Sequence, residues 1–347
     1  MLRLISPYFE HKLFLSATPH NGHTRCFTGL LEQLDPVRFT QSHEIDAKAE
    51  DRIGEIVIRR LKREINQFDE ANGRQPRFGD RLLEPLPLFF DPRENKLSRA
   101  FGEFRVAVKR LIAAQAKTEQ LAGSFAVEVL NKRLLSCPYT FALSWQRFQE
   151  GVNQTESAKT IDVQAAKRAL SADLDDDLEV EGRIQFASKT VGAWLKPFLA
   201  DLQTEILAIN DVLDTLGLWV ESEDLPDFLP YPSVDTRWEK LLQLIKQYLR
   251  MGKEWVADDR LIIFTEYKTT LDYLQRRFRD EFKDANNRVQ ALYGGMVEQE
   301  REVIKQAFND PEDPIRILVA TDAASEGLNL QETARLVLHY DIPWNPA

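Results

Sequence analysis

The sequence predicts an α/β protein in which a largely helical stretch separates two α/β parts. Three observations carry this. After Asp235, short apolar runs of strand length alternate with amphipathic stretches of helical period, the pattern of βαβ units and a parallel sheet. Near the start, Leu13–Gly22 (LFLSATPHNG) has the same form as Ile317–Leu330 (ILVATDAASEGLNL), an apolar run turning abruptly into small and polar residues. Between the two parts, from Asp91 to about Gln149, apolar positions recur at helical spacing.

Taken in order, Lys12–Ser16 reads as a strand, ATPHNG as its loop, and Cys26–Leu34 as an amphipathic helix stopped by Asp35-Pro36. Ala47–Ile65 reads as one helix, with Ile53, Ile56, Val57, Leu61 and Ile65 on its apolar face, ended by Asn72-Gly73 and Pro76. The prolines of Leu82–Phe90 (LLEPLPLFF) forbid a helix interior and predict extended chain. Pro92 with Arg93-Glu94-Asn95 marks a helix start, followed by apolar Phe101, Phe104, Val108 and Leu111. A further helix over Leu121–Leu135 ends at Cys137-Pro138. Residues 150–185 are polar, with an acidic run at Asp173–Glu181 (DLDDDLEVE), and predict a solvated insertion. Helix returns at Thr190–Leu216, and Pro226, Pro230 and Pro232 mark a linker. Beyond it come helices at Thr236–Met251, Lys268–Phe282 and Glu298–Phe308. Strands are expected at Arg260–Thr265 (RLIIFT), Val289–Tyr293, Ile315–Ala320 and Arg335–Tyr340. The strand at each end of the chain sits in mid-fold, so the chain is expected to be truncated at both ends.

Composition narrows the function. At 347 residues, with 43% hydrophobic and 29% charged residues, the chain is long enough for two or three soluble domains. No apolar run approaches the roughly 18 residues that span a bilayer, and the apolar start is too short for a signal peptide. The two cysteines, Cys26 and Cys137, imply no disulfide framework, which suits a reducing cytoplasm. A net charge of −10 argues against a uniformly cationic binder of nucleic acid, but a basic knot at Arg59, Arg60, Lys62 and Arg63 shows that charge is unevenly placed.

The two strand-to-loop junctions are the candidate sites. Ser16 and Thr18 follow the first strand and could relay hydrogen bonds, or simply form a turn that Pro19 stiffens. Thr321 at a strand's C-terminal end can offer a hydroxyl and an amide to a phosphate, and Gly327 permits close backbone approach. Gly294-Gly295 follows a strand and precedes a helix, which suits either backbone contact with phosphate or an ordinary turn. No G-x-x-x-x-G-K-S/T phosphate loop occurs; Met251-Gly252-Lys253-Glu254 lacks the leading glycine and the hydroxyl. His20, His23 and Cys26 have ligand-like spacing without a fourth partner, so no metal is expected, and Cys26 reads as a buried helix residue. Trp238, Trp255 and Trp344 read as core or interface residues.

Taken together, LFLSATPHNG, GLLEQLDPVRF, VIRRLKREI, LIIFTEYKTTLDYL, LYGGMVEQEREVIKQAF, ILVATDAASEGLNLQ and VLHYDIPWNP occur in an order that resembles superfamily 2 helicase-like ATPases of the Swi/Snf type. The likeness is to the bacterial branch that includes the RNA-polymerase-recycling ATPase and phage-defence helicases. It covers residues 12–65 and 236–346 firmly and the helical middle more loosely. The resemblance implies two RecA-like P-loop NTPase lobes that close over ATP with Mg²⁺ while gripping double-stranded DNA. It divides the chain into the C-terminal part of a first lobe (1–65), a helical insertion and linker (66–235) and most of a second lobe (236–347).

By the same resemblance Ser16, Ala17 and Thr18 couple nucleotide state to lobe movement. Glu326, Gly327 and Asn329 lie by the nucleotide, and Thr321, Asp322, Thr265, Gly294, Gly295, Arg59 and Arg60 lie by nucleic acid. The family's phosphate-loop lysine and Asp-Glu carboxylates would precede Met1 and its γ-phosphate arginine would follow Ala347, so this polypeptide alone is expected not to hydrolyse ATP. The expected function is that of a central fragment of an ATP-driven translocase on duplex DNA, with RNA polymerase or defence and repair proteins as partners. The alternatives are a non-catalytic nucleic-acid-binding or assembly subunit and an RNA-directed helicase.

Overall fold

The computed structural model describes residues 2–16, 24–45, 47–58, 61–79, 82–171, 176–220, 228–325, 330 and 332–341. They fall into two compact units that divide between Leu86 and Pro87.

The first unit is helical where it is described. Helix α1 (Thr24–Leu34) buries Phe27, Thr28 and Leu31. With Phe39 these side chains gather Ile45, Ile53, Ile56 and Val57 into a small core. The Thr28 hydroxyl donates to Ser42 O at 2.7 Å and accepts from Ser42 N at 2.9 Å, tying the following loop to the helix. Three expectations need correcting here. Lys12–Ser16 forms no strand: Leu13 and Leu15 are 82% and 87% exposed, and a strand-like run forms a ladder only beside another strand, which the described residues of this unit do not supply. Cys26 is exposed, because the buried stripe of α1 runs through Phe27 and Leu31, one step further round the helix. The single helix expected over Ala47–Ile65 is two, α2 (Ala47–Ile56) and α3 (Lys62–Ala71). Leu61 is extended, and its N–H donates to the Glu64 carboxylate at 3.1 Å, so Glu64 starts a new helix where periodicity alone would continue the old one.

The second unit opens with six helices: α4 (Pro92–Ile112), α5 (Lys117–Ser136), α6 (Pro138–Val152), α7 (Thr160–Leu170), α8 (Asp177–Leu195) and α9 (Leu199–Thr215). The start of α4 is set by Asp91, whose carboxylate accepts from Arg93 N at 2.9 Å with Pro92 at the first helical position. Phe101, Phe104, Phe141, Trp145 and Phe148 stack and edge against one another in its core at centroid distances of 4.7–6.0 Å. The solvated insertion expected over 150–185 is instead mostly helix. Val163, Ala166, Ile184 and Ala187 from α7 and α8 are buried in the same core, so spaced apolar residues outweigh the acidic run beside them.

Two glycines fix how α6 meets α8. A Cβ at Gly151 would stand 1.9 Å from Lys189 O, and one at Gly192 would stand 1.9 Å from Phe148 O. The helix backbones touch there, and no side-chain rotation could make room.

Helix α10 (Thr236–Tyr248) leads into the sheet: β1 (Arg260–Thr265), α11 (Lys268–Glu281), β2 (Val289–Leu292), α12 (Glu298–Asn309), β3 (Ile317–Thr321) and β4 (Ala334–His339). The strands are all parallel in the order β2-β3-β1-β4. Both faces of the inner strands are covered, as a parallel sheet requires, and only the edge strand β4 leaves one face open. Leu261, Ile263, Ile317 and Val319 point into the core shared with the helices, whereas Ile262, Leu318 and Ala320 point to a second core with Phe308 and Ile315. Arg316, the polar break in the third run, is buried and spends its guanidinium on Val256 O at 2.9 Å and on Asp313 O and Ile315 O at 2.7 Å.

The glycine contact predicts a contrast within one helix. Gly192→Ala or Gly151→Ala should lower stability by roughly 1–3 kcal/mol, whereas Gly182→Ala, with open space around it, should raise it by roughly 0.5–1 kcal/mol. Thermal unfolding of the three variants checks this; a stable Gly192→Ala protein would mean that the helices do not touch.

Candidate functional site

Four parallel strands end on one side of the sheet, where open α/β sheets bind ligands. Thr265 and Thr321 stand in register at the ends of β1 and β3, and Gly294-Gly295 follows β2. The structure therefore brings Thr265, Gly294, Gly295, Thr321 and Asp322 to one edge. Ser16 lies exposed in the first unit, and Ala17, Thr18, Arg59, Arg60, Glu326, Gly327 and Asn329 fall outside the described residues.

At that edge the hydroxyls are committed. Thr265, 1% exposed, donates to Asp341 Oδ2 at 2.8 Å, and Glu266 N donates to Asp341 Oδ1 at 2.8 Å. Ser136 at the end of α5 donates to the same Asp341 Oδ2 at 2.5 Å and bonds Thr270 at 2.7 Å, while Thr140 bonds Thr270 at 2.8 Å. This seam fastens the α5–α6 turn to the strand ends.

Thr321, fully buried, donates to Asp177 Oδ2 at 2.6 Å, and the Gly294 amide donates to the same oxygen at 2.5 Å. Asp177 N returns a bond to Gly294 O at 3.2 Å. Asp177 opens α8, after Asp176 caps it by accepting from Leu178 N at 2.9 Å and Glu179 N at 3.2 Å. Gly295, at φ +85°, turns the chain there, and a Cβ on it would stand 2.7 Å from the Asp176 carboxyl carbon. Sequence reasoning missed Asp177. The signal was present: acidic residues ahead of a spaced apolar series are a helix start as well as a charge run.

A second tie holds α8 in place. Arg133, 1% exposed, donates to both carboxylate oxygens of Glu181 at 3.0 and 2.5 Å, to Thr269 at 3.1 Å and to Ser144 at 3.1 Å. Its guanidinium also stacks 4.5 Å from the Tyr267 ring centroid.

The edge is electronegative. Burial pushes the carboxyls of Asp177, Glu266, Asp272 and Asp322 above the usual range. For Asp177 the bonds from Thr321 and Gly294 and the charge of Lys268 offset part of that. Lys268 itself donates to Asp272 at 2.5 Å and lies 4.3 Å from the Tyr293 ring centroid. The edge can thus hold an anionic group on an amide and a hydroxyl, and in this structure that group belongs to the protein.

No group of side chains suited to a metal ion occurs among the described residues, and no described helix is long and apolar enough to cross a membrane.

Residues 238–347 match the family model of the helicase conserved C-terminal domain. The chain is similar to the ATP-dependent helicase YqhH of Bacillus subtilis, 38% identical over 90 residues that span 26% of this chain and 14% of the relative. It is similar to the SNF2 domain-containing protein CLASSY 3 of Arabidopsis thaliana, 29% identical over 94 residues, 26% of this chain and 7% of the relative. It is also similar to the ATP-dependent RNA helicase DBP8 of Kluyveromyces lactis, 29% identical over 156 residues, 43% of this chain and 34% of the relative. Each match thus spans a minor part of its relative. The last third of the chain is helicase-like, and its parallel sheet with helices on both faces is consistent with the RecA-like lobe that the resemblance implies.

Two outcomes follow from the site. Arg133→Met should cost about 2–4 kcal/mol because the partly buried Glu181 loses its cation, and Arg133→Met with Glu181→Leu should recover most of the loss. Denaturant titration of the single and double variants checks it, and a double variant as unstable as the single would contradict the pairing. The second concerns pH. A carboxyl raised in the folded state binds more protons folded than unfolded, so its contribution is complete below its ordinary value of 3.8 and is lost as pH rises through the raised value. Asp176, Lys268 and Asp322 face the same group. As pH rises from about 4 the Tm of the wild type should fall relative to that of Asp177→Asn, and a difference that stays flat would mean Asp177 is not buried.

Proposed function

We propose that this chain is part of an ATP-dependent motor that moves on duplex DNA or remodels protein–DNA complexes, in a cytoplasmic setting. The observation that carries the reading is the helicase-type match over residues 238–347, laid on a parallel sheet whose strand ends gather Thr321 and Gly294. Within it, 1–65 belongs to a first RecA-like lobe, 66–235 is a helical insertion, and 236–347 belongs to a second lobe. Thr321, Asp322, Thr265, Gly294, Gly295, Arg59 and Arg60 face nucleic acid, and Ser16, Ala17 and Thr18 couple the lobes. Glu326, Gly327 and Asn329 face ATP with Mg²⁺, which supplies the phosphoryl transfer that drives movement. An amide and a hydroxyl at the strand ends have the donor chemistry that a phosphate takes, and backbone contacts of this kind carry no base preference.

A second reading has its own observation. Relatives named as RNA helicases match longer stretches, 41–43% of the chain, than the SNF2 relative does. An RNA-directed motor built on the same lobes is therefore the competing proposal.

Fluorescence anisotropy of the 347-residue chain with end-labelled duplex DNA, duplex RNA and single-stranded RNA of equal length separates the two. The proposal expects duplex DNA to bind most tightly, with log K falling linearly against log salt as phosphate contacts dictate. Tightest binding to RNA would replace it with the second reading, and binding to neither would overturn both.

A further inference from the structure

We infer that the N-terminus of α8 is an autoinhibitory plug: Asp177 occupies the anion cradle formed by the Gly294 amide and the Thr321 hydroxyl, so nucleic-acid phosphate enters only when Asp177 withdraws. The inference rests on the reading above that this edge faces nucleic acid, and names how that site is regulated.

The geometry is that of a bound anion. One carboxylate oxygen accepts from a backbone N–H at 2.5 Å and a hydroxyl at 2.6 Å, each from a different strand end. A glycine turn at Gly294-Gly295 lies beside it, as it does where loops wrap phosphate. The fit extends to Asp176, whose carboxyl group fills the space that a side chain at Gly295 would take. A phosphate oxygen asks for the same two donors, so ligand and plug exclude each other.

The plug is also built to leave. It belongs to a helix end rather than to the sheet, 144 residues away in sequence from Thr321. Asp176 and Asp322 bring like charge against it, and the cation of Lys268 offsets only part of that repulsion and of the cost of burial. Burial disfavours its ionised form, which reduces the net gain from the two hydrogen bonds. The Arg133–Glu181 pair one turn along α8 supplies a fixed point about which the first turn can move without undocking the helix.

The test compares affinities for duplex DNA, duplex RNA and inorganic phosphate. Asp177→Ala should raise nucleic-acid affinity about tenfold, within the usual span of coupled equilibria, and Asp177→Asn should raise it in the same direction. Asp201→Asn, which removes an exposed charge of α9, should change it far less and controls for net charge. Adding Thr321→Val to Asp177→Ala should abolish the gain. If Asp177→Ala and Asp177→Asn leave affinity unchanged while Thr321→Val weakens it, the plug is wrong and the site stands. If the gain survives Thr321→Val, or Asp201→Asn gives the same gain, the cradle is not where nucleic acid binds. Circular dichroism of each variant establishes folding, and Asp177→Asn, which keeps the side chain's size, serves if Asp177→Ala unfolds. Inorganic phosphate that binds Asp177→Ala more tightly than the wild type, with nucleic-acid affinity unchanged between the two, would assign the cradle to free phosphate in place of nucleic acid.

Discussion

A backbone amide and a hydroxyl that lie at the end of a buried parallel sheet must be paired, and here one carboxylate oxygen of Asp177 pairs both. That constraint organises the second unit. The donors are offered by strand ends whose positions follow from the ladder, while the acceptor comes from the first turn of a helix. Docking therefore has to be accurate to the length of a hydrogen bond, and the rest of the helix must be held to match. The contact of α6 with α8 at Gly151 and Gly192 and the Arg133–Glu181 pair do that holding. The Ser136–Asp341–Thr265 seam repeats the same arrangement between α5 and β1. Polar ties of this kind add little net stability each, but broken ones cost the desolvation of a buried group, so they specify a single docked position.

The helices and the sheet consequently share one core. Apolar side chains run without a break from Phe101 and Trp145 through Leu271 and Phe278 to Ile263 and Val319. A parallel sheet needs cover on both faces, and α11 with the helices behind it covers one face while α12 covers the other. The electronegative edge is what this packing leaves at the strand ends, where a carboxylate of the chain's own supplies the anion that the Gly294 amide and the Thr321 hydroxyl take.

Much of the fold was legible in the sequence because its signals are local. Apolar runs such as RLIIFT and ILVAT gave β1 and β3 within two residues, and Asp91-Pro92 gave the start of α4. Where reading failed, the deciding partner was distant or the local signal was ambiguous. The run Leu13–Leu15 has strand composition, but composition supplies no neighbour. Where one helix was expected through Ile65, a new one starts at Lys62 because Glu64 captures the Leu61 amide, a detail that apolar spacing does not encode. At the site, Thr321 and the Gly294-Gly295 turn stood out by position after a strand. Asp177 did not, since an acidic run is most often solvated and its partners lie 117 and 144 residues away.

Exchange of one anion for another at the Gly294–Thr321 cradle is read directly by amide hydrogen exchange. On adding duplex DNA, the amides of Tyr293 to Gly295 should stay protected or gain protection, while those of Asp177 to Val180 at the start of α8 should lose it. Gain or constancy of protection at both segments would contradict the account, because plug and phosphate would then occupy the edge together.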